Sequence, residues 1–142
     1  MNALVIYESL TGNTRRAAEA IVGELTDRGV AAVACPTTGV DYAALEAADL
    51  VIVGTWTDGI FVVGQRPARG ARLRALPSML GKRAVVFCTY ALDAGRTLEK
   101  LVAIVEGLGA EVLGGMTIRR DRIDDGARDL VGRVLDLDVA HP

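Results

Sequence analysis

The chain predicts a three-layer α/β sandwich, a five-stranded parallel sheet covered by helices on both faces, and three observations lead there. Short continuous apolar runs, Ala3 to Tyr7, Leu50 to Val53 and Ala84 to Cys88, are too brief for buried helices and suit strands buried on both faces. Between them lie segments with apolar residues at helical spacing, and strands alternating with helices imply right-handed crossovers. The length of 142 residues suits one domain, residues 1–142, with a core able to fold alone.

Each element has its own signal. After the first strand, Ala17, Ile21 and Leu25, with Ala18 and Val22 beside them, give the first helix a buried face. Arg28-Gly29 stops it with a basic residue and a glycine suited to the left-handed C-cap. Val30 to Ala34 reads as the second strand, Asp41 as the cap of a short helix from Tyr42 to Ala47, and Leu50 to Val53 as the third strand, closed by Gly54. Ala84 to Cys88 is the fourth strand, followed by a helix marked by Leu98, Leu101, Val102, Val105 and Leu108 and ended by Gly109. Val112 and Leu113 seed the fifth strand, and Ala127, Leu130, Val131, Val134 and Leu137 stripe a final helix capped by Asp124 or Asp125.

Composition narrows the function. At 51% hydrophobic and 24% charged, with net charge -2, the chain has no 18-residue apolar run for a membrane span. It has no signal-peptide pattern either, so the cytoplasm is the expected location. Cys35 and Cys88 stand apart with no CxxC, which argues for buried free thiols rather than a metal or dithiol site. The single histidine, His141, is next to the last residue, which disfavours a His-dependent triad.

The most informative stretch is the turn Ser9-Leu10-Thr11-Gly12-Asn13-Thr14, which joins the first strand to the first helix without a linker. It sets hydroxyls, an amide and an unhindered glycine at a helix start, where unpaired N–H groups favour an anion. No charged residue lies between Ser9 and Thr14, so neutral donors are expected to bind it. The turn is neither GxxxxGK[ST] nor GxGxxG, and a phosphomonoester fits better than a nucleoside triphosphate or dinucleotide. The competing reading is simple helix capping, which needs only one such residue.

Val5-Ile6-Tyr7, Ser9, Gly12, Thr14, Ala18 and Ile21 resemble the flavodoxin signature, including its S-x-T-G-x-T loop for the FMN phosphate. The resemblance to short-chain flavodoxins extends over essentially the whole chain, with only the first loop matching specifically. It implies strand order 2-1-3-4-5, FMN as cofactor, and a ligand edge beyond strands one and three, where the order reverses. The loops that matter then follow Tyr7, Val53 and Cys88.

The second loop, Thr55-Trp56-Thr57-Asp58-Gly59, holds the only tryptophan, available either for stacking on a flavin or for packing on Phe61. By the resemblance, the Asp58-Gly59 peptide is the one that rotates to offer a carbonyl to flavin N5; the alternative is a plain turn. The third loop, Thr89-Tyr90-Ala91-Leu92-Asp93, resembles the other flavin clamp, but Leu92 falls where family members carry the stacking aromatic, and Tyr90 stands two positions earlier. Asp93 is alternatively a helix N-cap. From Phe61 to Leu80 the chain departs most from the family, carrying Arg66, Arg69, Arg72 and Arg74 with no acid. That segment wraps the flavin edge or recruits an acidic partner, or else is a solvated loop and short helix with Leu73, Leu76 and Leu80 inward. Nucleic-acid binding is disfavoured, since the basic run is short and lacks interleaved aromatics.

The resemblance implies a monomeric low-potential electron carrier without catalytic residues, meeting a reductase and an acceptor enzyme as redox partner proteins. Two alternatives share the fold: an FMN-dependent oxidoreductase of the NAD(P)H:quinone or protoporphyrinogen type, and an interaction module that has lost the flavin.

Overall fold

The computed structural model describes residues 1–59 and 64–140. Phe61, and the possibility that Trp56 packs on it, lie outside those residues, as does His141. The chain runs β1 (Asn2–Tyr7), α1 (Asn13–Asp27), β2 (Ala31–Pro36), α2 (Tyr42–Ala47) and β3 (Leu50–Asp58). It continues through β4 (Arg66–Pro67), α3 (Gly70–Arg74), β5 (Arg83–Tyr90), α4 (Thr97–Gly107), β6 (Glu111–Arg119) and α5 (Ile123–Ala140).

The sheet order is β2-β1-β3-β5-β6, with all neighbours on this path parallel. This is the expected 2-1-3-4-5 order once the two-residue β4, paired antiparallel to the end of β3, is set aside. Side-chain alternation divides the core in two. Ala3, Val5, Ile52, Val85 and Phe87 face a layer built from Ile21 and Leu25 of α1 and Leu130 and Val131 of α5. Leu4, Ile6, Val51, Val53, Ala84 and Val86 face Leu45 of α2, Leu73 of α3, and Leu101 and Val105 of α4. Both faces of the central strands are thus buried, which is why their sequences are apolar without alternation.

The structure corrects the sequence reading at several boundaries. Gly54 does not end β3; the strand continues to Asp58 and turns back on Arg66–Pro67. Thr55 Oγ1 donates to the Ala68 carbonyl at 2.9 Å and the Ala68 N–H donates to the Trp56 carbonyl at 2.9 Å, so this extension is tied on both sides of the turn. Leu80 is 81% exposed, and Met79 takes the buried position beside Leu73 and Leu76. Asp124 and Asp125 lie inside the first turn of α5 rather than before it, where carboxylates suit the positive end of the helix. Asp41 caps α2 as expected, accepting from the Ala44 N–H at 2.9 Å.

Gly54 has a steric role instead. It pairs with Phe87 across β3 and β5, and a Cβ at this position would lie 2.0 Å from Phe87 Cζ. The far end of the ring occupies the space that a side chain here would need. Gly54→Ala is expected to lower stability by ~1–3 kcal/mol through overpacking, and the Gly54→Ala/Phe87→Leu pair to recover part of the loss. Urea unfolding of the variants checks this; a Gly54→Ala protein as stable as the parent would show that Phe87 has another place to go.

Candidate functional site

Strands β1, β3 and β5 run side by side, with Tyr7 opposite Gly54 and Gly54 opposite Phe87, and their C-terminal ends form one edge where the sheet order reverses. A cavity of about 210 Å³ opens at this edge. The first loop lines it with Ser9, Leu10, Thr11, Asn13 and Thr14, the second with Trp56 and Thr57, the third with Thr89, Tyr90 and Ala91, and Arg120 closes the wall.

The capping explanation of the first loop fails on geometry. Helix α1 begins at Asn13, its cap residue is Gly12 in the left-handed conformation (φ 96°), and no side chain bonds the helix start. Ser9 Oγ accepts from the Gly12 N–H at 3.2 Å, one residue before the helix. Among the described residues no acceptor is bonded to the N–H groups of Thr11, Asn13 or Thr14. They are donors at the positive end of a 15-residue helix, left for an anion or water. Only glycine holds φ 96° without strain, and nothing lies within 4 Å of where its Cβ would stand, so the space above the helix start is open.

Thr14 is buried and its Oγ1 lies 2.9 Å from Thr89 Oγ1, a hydroxyl pair that locks the first loop to the third. Thr57 adds a different feature. Its Oγ1 is buried without a hydrogen-bond partner, one of two such side-chain atoms among the described residues, the other being Thr97 Oγ1. A buried orphan hydroxyl normally costs about 1–3 kcal/mol, and at a cavity wall a ligand can relieve it. Trp56 is partly exposed and carries the Arg69 guanidinium 5.7 Å from its ring centroid, within cation–π range.

The remaining sequence-selected residues stand outside the cavity lining. Asp58 Oδ1 accepts from its neighbour's N–H, Gly59, at 2.9 Å, and its other oxygen lies 3.8 Å from Arg66. Gly59 has φ 88°. Leu92 is 92% exposed on the third loop. Asp93 does not cap α4, whose cap residue is Arg96; it accepts from the Gly95 N–H at 3.1 Å and shapes the turn. No group of His, Cys, Asp and Glu able to hold a metal occurs among the described residues.

Two charged residues escaped the sequence reading. Glu8, directly after β1, is 4% exposed and accepts from Arg72 Nη1 at 2.9 Å and from Thr37 Oγ1 at 2.8 Å, while its N–H donates to the Gly54 carbonyl at 2.9 Å. In sequence it is an isolated acid beside a polar turn. Arg120 arrives from the end of β6, whose following loop lies away from the point where the strand order reverses. Behind the cavity lies the buried thiol of Cys88, pushed up by burial from its ordinary 9.0 to about 11 and only partly tempered by the Thr57 hydroxyl, which is near but forms no well-aligned bond.

A flavodoxin domain model matches residues 4–124. The chain belongs to the flavodoxin family. No curated protein sequence matches it significantly. Among solved structures, the oxidised flavodoxin 1 of Bacillus cereus aligns with a TM-score of 0.71 at 19% identity, covering 96% of this chain and 98% of that one. An archaeal flavodoxin aligns with a TM-score of 0.66 at 20% identity, covering 94% and 99%. The two-electron reduced flavodoxin of Megasphaera elsdenii gives 0.66 at 16% identity, covering 92% and 98%. At these identities the structures establish the flavodoxin fold, while the family model establishes membership.

The geometry makes two expectations checkable without a ligand. Arg72→Met leaves the Glu8 carboxylate buried with Thr37 alone and is expected to cost ~1–3 kcal/mol; Glu8→Gln/Arg72→Met should regain part of that. A flat urea midpoint across the series would mean that water replaces Arg72. For Cys88, the thiol is neutral in both states below pH 9. Above it the unfolded chain ionises first, so the folded state binds the extra proton and stability falls between about 9 and about 11. The stability difference between the parent and Cys88→Ala should therefore shift against the parent by ~2–3 kcal/mol over this window. A constant difference in unfolding free energy would place the thiol in contact with solvent.

Proposed function

We propose that this chain binds FMN at the cavity and carries electrons between partner proteins. The supporting observation is the pairing, in one cavity, of unbonded N–H donors at the start of α1 with a partly exposed indole and an unsatisfied hydroxyl. The donor set fits the cofactor: N–H and hydroxyl groups of the first loop toward a phosphate, and Trp56 and Tyr90 toward a flat ring. The cavity of about 210 Å³ is smaller than the ~300–1,000 Å³ of enclosing ligand pockets, so it takes in part of such a ligand and leaves an edge accessible to a partner.

When bound, FMN supplies one- and two-electron transfer. This chain's residues position and insulate it. The Thr14–Thr89 hydroxyl pair fixes the distance between the phosphate loop and the third loop, and Arg69, stacked on Trp56, holds the indole and places a positive charge one ring away from the cavity. Thr57 offers a hydroxyl at the wall. With no histidine among the described residues and no metal-binding cluster, the described side chains offer the site binding and positioning groups.

The test is the spectrum of the purified protein, followed by titration of apoprotein with FMN. Bands near those of free oxidised flavin, FMN release on denaturation, and stoichiometric quenching of Trp56 fluorescence are expected. Colourless protein with no quenching would return the chain to a flavin-free module. Rapid reduction by NADPH alone would favour an oxidoreductase. Thr57→Val separates ligand binding from structure: removing an unsatisfied hydroxyl should leave the apoprotein equally or more stable, yet weaken FMN binding about five- to tenfold. Unchanged affinity would show that the hydroxyl faces away from the ligand.

A further inference from the structure

The corner between β6 and α5 reads Arg119-Arg120-Asp121-Arg122, and its cations are unequally committed. Arg119 Nε lies 2.9 Å from Asp121 Oδ1 and Arg122 Nη2 lies 3.5 Å from Asp125 Oδ2. Arg120 has no ion-pair partner among the described residues, and it is the one that lines the cavity, alongside Leu10, Asn13, Tyr90 and Ala91. Its backbone is not loose. The Arg120 N–H donates to the Tyr90 carbonyl at 2.9 Å, which fastens the corner to the end of β5.

The other cations near the helix start are occupied. Arg15 Nε is 2.9 Å from Glu19 Oε1, Arg16 bonds the Asn13 side-chain oxygen, and Arg69 stacks on Trp56. An anion seated on the first loop would therefore meet the N–H groups of α1 and one uncommitted guanidinium. A phosphate monoester carries about -1.5 to -2 charge at neutral pH, whereas a helix N-terminus supplies only about +0.5. Much of the charge is left for another group, and the planar fork of an arginine suits phosphate oxygens.

We infer that Arg120 is the counter-charge of the phosphate site, so that the site combines neutral donors from the first loop with one cation from the sheet edge. This inference rests on the FMN reading and deepens it. It assigns Arg120 a binding role that the first-loop sequence, with no charge between Ser9 and Thr14, gives no sign of. The side chain is exposed and hydrated in the free protein, so it turns onto the ligand without a buried charge to stabilise beforehand.

The experiment compares FMN with riboflavin, which lacks the phosphate, by flavin fluorescence titration at low and moderate salt. Arg120→Gln is expected to raise the FMN dissociation constant about tenfold to a hundredfold while leaving riboflavin within about twofold, and to flatten the salt dependence. Arg120→Lys should restore part of the difference, and Arg119→Gln, which alters a cation paired with Asp121, should change neither ligand. Far-UV circular dichroism verifies that each variant is folded. Inorganic phosphate should compete with FMN in the parent and less well in Arg120→Gln. Equal weakening of FMN and riboflavin would overturn the inference by placing Arg120 at the ring or in the fold, and unchanged FMN affinity would overturn it directly. A parent protein that binds neither flavin would defeat the FMN reading itself, and this inference with it.

Discussion

The site depends on one buried carboxylate. Glu8 sits where β1 ends and the first loop begins, almost fully removed from solvent, and it joins chain segments that are distant in sequence: Thr37 after β2, Gly54 in β3 and Arg72 in α3. A carboxylate in such a place is costly unless its oxygens are satisfied, and both are. The direction in which the chain leaves the sheet is thereby fixed, and with it the open space over α1 that Gly12 preserves. Arg72 is half exposed, so the pair keeps one side in water and avoids the full penalty of a buried ion pair.

This dependence explains what the sequence could and could not reveal. Parallel strands declare themselves through continuous apolar runs because both faces are covered, and the helices through periodic faces; the order of the sheet then follows from the resemblance carried by the first loop. Glu8, by contrast, has no signature. One acid between an apolar strand and a hydroxyl-rich turn looks solvated until α3 is seen against it, 64 residues later in the chain.

Gly54 and Leu80 mislead for a related reason. Glycine after an apolar run resembles a strand end, but here its missing side chain is the room Phe87 occupies, and the strand continues because Thr55 and Trp56 bond to Ala68 on the returning β4 side. Leu80 and Met79 are equivalent by apolar pattern, and the difference lies in tertiary packing: Met79 fits beside Leu73, and Leu80 is turned out at the loop. Asp93 illustrates local competition. Its carboxylate is engaged by the Gly95 N–H inside the turn, which leaves the start of α4 to Arg96.

Arg120 shows why the electrostatics of the site belong to the fold rather than to the loop. Had the cation been placed within Ser9 to Thr14, its guanidinium would compete for the packing that lets Thr14 meet Thr89, and part of it would be desolvated in the free protein. On the exposed corner after β6, its side chain stays exposed while its backbone N–H is held by the Tyr90 carbonyl. The loop can then be built for shape and N–H direction alone, with charge added from outside at little structural cost. Beyond the lining, Arg69 lies over the Trp56 ring and Arg66 faces Asp58. These arginines are all exposed, so salt screens each of them beyond roughly a Debye length, ~10 Å at 0.1 M. The cavity thus carries one charged side chain, the exposed Arg120, among neutral donors and rings, an arrangement that leaves the loops to packing and the exposed corner to electrostatics.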